Sequence, residues 1–159
     1  MNQNIIPVAD QCDQHAVKFP LEQCQMLCTA HHELGSAVEG MYRPTHRNHP
    51  CSIWIRATAG NYRWALRHFQ NLLEEKLFRF GTQHKSGRLL TILSNLPAGI
   101  DMSDEVTPFP QCMPEEFKQS DAEEAYKNYL NFKYAEWMAR EKPLIPRWTG
   151  RPIPSWVTI

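Results

Sequence analysis

The sequence predicts an all-α fold, a compact three-helix domain with a long proline-rich connecting loop and an extended aromatic, basic C-terminal tail. Three observations predict it. Apolar side chains recur at helical spacing in long stretches, residues suited to helix starts and stops bracket those stretches, and four prolines gather in the segment 96–118 between the second and third of them.

The first helix is expected over residues 10–34, where Val17, Leu21, Cys24, Leu27, Cys28 and Leu34 fall on a helical period. Pro20 lacks an N–H and predicts a kink or a restart, and Gly35 a stop. The stretch GMYRPTHRNHPCSIWIR, with two prolines and many hydrogen-bonding side chains, reads as irregular. Thr58 can cap a second helix running to about Phe80, with Gly81 ending it and an apolar face of Trp64, Leu66, Phe69, Leu72, Leu73, Leu77 and Phe80. A shorter helix is expected over Arg88 to Asn95. Pro97, Pro108, Pro110 and Pro114 force residues 96–118 into an extended surface loop. Ser120 or Asp121 then caps a third long helix, rich in aromatics on one side and closed by Pro143. The tail PRWTGRPIPSW follows. With no internal repeat, residues 1–159 read as one domain.

Composition bounds the function. At 42% hydrophobic and 21% charged residues the chain is globular rather than disordered. No apolar run is long enough to span a bilayer, and the first residues lack the basic start and apolar stretch of a signal peptide, so a cytoplasmic location is expected. Five cysteines, an odd number without framework spacing, read as free thiols. The net charge is zero, but it is polarised: between Met41 and Leu90 nine basic residues face only Glu74 and Glu75, and between Asp101 and Glu124 eight acids face only Lys118. Either these are two solvated faces that neutralise each other, or the basic stretch forms a polyanion-binding face.

Two groups of residues can carry chemistry. His15, Lys18, Glu22 and Gln25 lie at i, i+3, i+7 and i+10, one helical stripe holding an imidazole, an amine, a carboxylate and an amide. That stripe is either an acid/base site or a solvated face with a Lys18–Glu22 ion pair. Thr45, His46, Asn48, His49, Trp54, Arg56 and Asn61 form a dense polar set among prolines and tryptophans, either a pocket wall or a loop knitted by its own hydrogen bonds. Cys24, Cys28 and His31, and His46, His49 and Cys51, are the sets nearest to metal spacing. Neither contains a CxxC pair, and no metal or cofactor is expected. There is no Walker loop, dinucleotide fingerprint or GxSxG.

ADQCDQHAVKFPLEQ is similar to the first helix of the phage pyrimidine-dimer DNA glycosylases of the endonuclease V type, in which Asp-Gln-His is followed by a glutamate seven residues after the histidine; here that glutamate is Glu22. MPEEFKQSDAEEA resembles that family's Pro-x-Glu-Phe stretch and the helix start after it, and REKPLIPRWTGRPIPSW its closing tail. NHP at 48–50, the long helix after it and RFG resemble cellular relatives. The chain also looks like a broad set of phage proteins that share His15, Lys18, THRNHP and the Arg-Trp-Thr-x-Arg-Pro tail.

The resemblance implies a three-helix domain that releases a damaged base and then cleaves the strand. The N-terminal α-amine attacks the sugar C1′ and a Schiff base forms, while the helix glutamate stabilises the developing positive charge. Carried over, the glutamate is Glu22 and the amine that of Met1, with Lys18 a second candidate and His15 beside them. The family's arginines flanking the glutamate are replaced by Leu21 and Gln25, so phosphate contacts must come from elsewhere: Arg43, Arg47, Arg56, Arg79, His84, Lys85 and Arg88, or Arg147, Trp148 and Arg151 in the tail. The expected partner is damaged or modified DNA. The alternatives are a nucleotide- or base-modifying enzyme with a small-molecule pocket, and a non-enzymatic nucleic-acid or protein binder that inhibits a host system.

Overall fold

The computed structural model describes residues 5–159. Within them the architecture is all-α, with no strand. Five helices occur: α1 (Asp13–Glu33), α2 (Pro50–Ile55), α3 (Ala59–Phe80), α4 (Leu90–Leu93) and α5 (Ala122–Met138), with 3-10 turns at Val8–Asp10, Lys85–Leu89 and Glu115–Phe117. α1, α3 and α5 are the three long helices that the periodicity predicts.

Local chemistry sets most of the boundaries. The Thr58 side chain accepts from the N–H of Asn61 to start α3, and Gly81, at φ +64°, ends it in the left-handed conformation. The Asp121 carboxylate accepts from the N–H groups of Glu123 and Glu124 to start α5. α1 runs as one helix through Pro20, so the expected restart does not occur. Proline removes one hydrogen bond from the ladder. Burial of Phe19, Cys24 and Leu27, with Gln23 donating to the Ala65 carbonyl of α3 at 3.0 Å, holds the helix together across that gap. The expected short helix at 88–95 is a 3-10 turn passing into α4. α2 lies inside the stretch read as irregular: His49 accepts from the Cys51 N–H and Pro50 opens the helix, an N-terminus signalled by histidine instead of Ser, Thr, Asp or Asn.

Two hydrophobic clusters form the interior. One joins α1, α2, α3 and α4 through Leu27, Cys28, Trp54, Ile55, Tyr62, Phe69 and Leu93. The other gathers Ile6, Cys12, Met113, Tyr126, Leu130, Tyr134 and Trp148 around α5, so the tail is anchored to the core through Trp148. Polar contacts fasten it: Arg151 makes two bonds to Glu75 at 3.0 and 2.8 Å, and Thr149 makes two to Asp13 at 2.9 and 2.7 Å. The 101–107 loop lies against the start of α3, where Gly60 donates to Ser103 O at 2.9 Å. All five cysteines are free thiols, and no helix among the described residues is long and apolar enough to cross a membrane.

Candidate functional site

The stripe on α1 supplies the centre. Glu22 is partly exposed and its carboxylate lies 2.8 Å from Nζ of Lys18, one helical turn earlier. The 43–49 loop is pinned beside this stripe by Thr29, whose Oγ1 lies 2.8 Å from Gln25 O and 3.2 Å from Thr45 O and accepts the Thr45 N–H at 3.1 Å. Arg43, His46, Arg47 and Asn48 are exposed on that loop, and Gln25 is half-buried on the helix below it. His46 holds φ +48°, the left-handed region that non-glycine residues rarely occupy, and its carbonyl accepts from the His49 N–H at 2.9 Å. Burial pushes the His49 imidazole below the usual histidine range, and the Glu22 charge partly offsets this. Arg47 pairs with Glu33 at 3.1 Å, and Arg56 donates to the Arg47 carbonyl at 2.9 Å.

His15, one turn before Lys18, is only 8% exposed. Its ring stacks on Phe19 at 4.5 Å and meets Trp137 of α5 edge-on at 5.4 Å. Burial, reinforced by the nearby Lys18 charge, lowers its pKa to about 3, so it is a neutral imidazole at ordinary pH. His15 therefore faces a cleft toward α5, while Glu22 faces the 43–49 loop. Lys18 touches both.

Several expected contact residues belong to the interior. Arg79 has no exposed side-chain surface and spends its guanidinium on Glu75, Asp13 and three backbone carbonyls. Asn61 is fully buried, donating to Trp54 O and Thr107 Oγ1, both at 2.8 Å. Trp54 and Trp148 are buried, with their indole N–H groups on Thr107 O and Asp10 O. Arg151 is tied to Glu75 and lies over the Phe78 ring at 4.2 Å. Arg79, Asn61, Trp54 and Trp148 would each have to leave a buried position to reach a ligand, which removes these four from the expected DNA-contacting set, whereas Arg151 keeps a third of its side chain exposed. His84 and Lys85 line a separate depression of about 610 Å³ with Arg88 and Leu73, and the His84 ring caps its own turn. Met1 lies outside the described residues.

A metal is best tested against His49, Cys51 and Cys112, whose donor atoms lie within 4.8 Å of one another. The long loop supplies Cys112, which sequence spacing could not place there. Imidazole and thiolates suit a soft divalent cation. Part of this set is already engaged: His49 Nδ1 accepts the backbone N–H of Cys51 at 3.2 Å, and the two sulfurs are 3.5 Å apart. The Cys51 thiol, by hydrogen bonding, makes Cys112 the more acidic partner. The Cys24–Cys28–His31 set is no better, since both ring nitrogens of His31 are used, on Ser36 and Tyr62.

Sequence reading missed Lys133, Trp137 and Arg140. Their i, i+4, i+7 spacing on α5 was a signal, but its meaning depends on which face of α5 meets α1. No family model, no curated protein and no solved structure matches the chain.

Proposed function

We propose that the chain cleaves the glycosidic bond of a damaged or modified pyrimidine in DNA, with Glu22 as the central carboxylate. The observation that carries this reading is the partly exposed Glu22–Lys18 pair at 2.8 Å, set beside a loop that presents Arg43 and Arg47. The order of motifs around Asp13, His15 and Glu22 and its resemblance to the pyrimidine-dimer glycosylases add support.

As the C1′–N bond breaks, its electron pair leaves with the base, which takes up a proton, and positive charge grows on the sugar until water, or an amine, bonds to C1′ and gives up a proton. A carboxylate next to C1′ stabilises that charge most when water is excluded. In a coupled strand cleavage an amine would bond to C1′, and sugar-ring opening would give the Schiff base. Within the described residues the amine next to Glu22 is that of Lys18, which would first have to leave the ion pair and lose its proton. The α-amine of Met1 is the one implied by resemblance. Arg43 and Arg47 would hold phosphates, at an affinity that falls with salt. Damage lowers the cost of bringing the base out of the stack.

The test is base release from ultraviolet-irradiated or base-modified DNA by untagged protein. Glu22→Gln keeps the side-chain shape and removes the charge, and should lower release by about 10²–10³-fold in a folded protein. Borohydride should trap a protein–DNA adduct if an amine acts. An undiminished rate in the variant would remove Glu22 from the mechanism. A nucleotide- or base-modifying enzyme is the second reading, favoured by one observation: the neutral, buried His15 in its aromatic cleft.

A further inference from the structure

Between the first turns of α1 and the C-terminal end of α5 lies a cleft of about 230 Å³. It has aromatic walls, with the stacked His15 and Phe19 rings on α1 and Trp137 on α5. Its rim is cationic, with Lys18 from one helix and Lys133 and Arg140 from the other.

Two polar atoms in its walls are buried without a hydrogen-bond partner, Nδ1 of His15 and Oε1 of Gln14. The Gln14 amide is oriented by its other end, since Nε2 donates to Ile145 O at 3.1 Å. Buried polar atoms are almost always satisfied, and of the seven such orphans among the described residues these two belong to side chains that line this cleft, where an occupant would complete them. The charge points to an anion. Lys133 and Arg140 share a single carboxylate, Glu136, at 2.6 and 4.0 Å, and Lys18 holds Glu22, so the rim's three cations exceed its carboxylates by one. At 4.0 Å the Arg140 contact is loose and its guanidinium remains half-exposed. The volume is below the roughly 300–1,000 Å³ of drug-sized sites, which leaves room for one planar ring with its substituents emerging at the rim.

We propose that this cleft binds one nucleoside monophosphate, its ring against Trp137, its polar edge toward Gln14 and His15, and its phosphate on Lys133 and Arg140. The proposal goes beyond glycosidic-bond cleavage and does not depend on it. The nucleotide can be free in solution or one unit of a single strand, and both present the same chemistry.

Isothermal titration of the full chain with thymidine 5′-monophosphate, thymidine, inorganic phosphate and a short single-stranded oligothymidylate tests it. The monophosphate should bind at least about tenfold more tightly than either thymidine or phosphate, because only it fills both ring and anion positions. Trp137→Ala and the double variant K133A/R140A should each weaken it by about tenfold or more, whereas K118A, outside the cleft, should not. These side chains are half-buried or exposed, and a thermal melt by circular dichroism reports whether each variant folds. Tighter binding of the oligonucleotide, still sensitive to Trp137 and Arg140, would identify the strand as the source; equal or weaker binding, the free nucleotide. Binding of phosphate as tight as that of the nucleotide, or nucleotide binding that survives all three substitutions, overturns the proposal. So does oligonucleotide binding without mononucleotide binding, which leaves the glycosylase reading standing. Nucleotide binding with no base release from any damaged DNA has the opposite meaning: the cleft stands and the glycosylase reading falls.

Discussion

Arg79 is a cation with no exposed side-chain surface, and the way it is satisfied explains much of the molecule. Nε donates to Glu75 at 2.7 Å, Nη1 to Gln11 O at 2.7 Å and Asp13 at 3.2 Å, and Nη2 to Val8 O and Ala9 O at 3.2 and 2.9 Å. One guanidinium thus ties the end of α3 to the turn that leads into α1. Burial alone would raise the Glu75 pKa, but hydrogen bonds from Arg151 and Arg79 outweigh it and hold the carboxyl below its usual range. Replacing Arg79 with Met keeps most of the volume and leaves the carboxylate and three carbonyls short of donors. Breaking a buried pair by removing one partner costs about 3–5 kcal/mol, so R79M should lower the urea unfolding free energy by that order. A loss below about 1 kcal/mol would mean that water or Arg151 takes over the vacated bonds. The same residue marks a limit of sequence reading. In the sequence Arg79 is one of nine basic residues in a charged stretch, and nothing local separates a phosphate-gripping arginine from one that ties helices together. Asn61 and Trp148 were unreadable for the same reason, because burial is decided by partners 46 and 138 residues away.

At the scale of elements, the legible features were those whose physics is local. Thr58, Gly81 and Asp121 terminate helices through atoms within four residues of themselves, and all three stand where a sequence reader would place them. Pro20 does not restart the helix because its local penalty is outweighed by tertiary burial, and α2 was missed because its cap is a histidine. The α1 half of the site was readable as a stripe. The α5 half, like Cys112 beside His49, needed the three-dimensional pairing. Gly60 shows how an element interface can rest on one missing atom. A Cβ there would lie 2.4 Å from the carbonyl oxygens of Asp104 and Glu105. Helix propensity favours alanine over glycine by about 1 kcal/mol. Against that, the loop is held in place by Ala59 N–H on Asp101 O at 2.7 Å and Thr58 Oγ1 on Glu105 O at 2.8 Å, so it cannot retreat without losing those bonds. Sterics should win: G60A is expected to destabilise by about 1–3 kcal/mol, read as a lowered melting temperature. The 101–107 backbone should also exchange amide hydrogens faster. A stabilised G60A would show that the loop yields freely.

For the molecule as a whole, the charge polarity seen along the sequence is partly consumed inside the fold. Arg63 pairs with Asp104 across the two stretches, Arg47 with Glu33 and Arg79 with Glu75, so the solvated-face reading holds for part of the basic segment while Arg43 and Lys85 remain exposed. Its response to acid is set instead by buried histidines. Burial lowers the pKa of His15 to about 3 and of His68 to about 4, and also lowers that of His31. Above about pH 6.5 these imidazoles are neutral in both folded and unfolded chains and take nothing from stability. As pH falls through 6.5 the unfolded chain takes up protons that the folded chain refuses until its own lower pKa values are reached. Stability should therefore decline between about pH 6.5 and 4, by roughly 1.4 kcal/mol per pH unit for each such histidine. Glu75, whose folded pKa is depressed, adds to the loss only at the acid end, below its unfolded value near 4.5. His68 gives the clean test. It stacks on Trp64 at 5.1 Å with the ring planes 10° apart, and its Nε2 has no partner. His68→Phe should keep the stacking and remove one titrating group. Urea unfolding at a series of pH values should then show a slope shallower by about one proton than in the parent chain, with nearly unchanged stability at pH 7.5. An unaltered slope would mean that His68 is protonated in the folded protein, and that the ring interaction with Trp64 is a cation–π contact rather than a stack of two neutral rings.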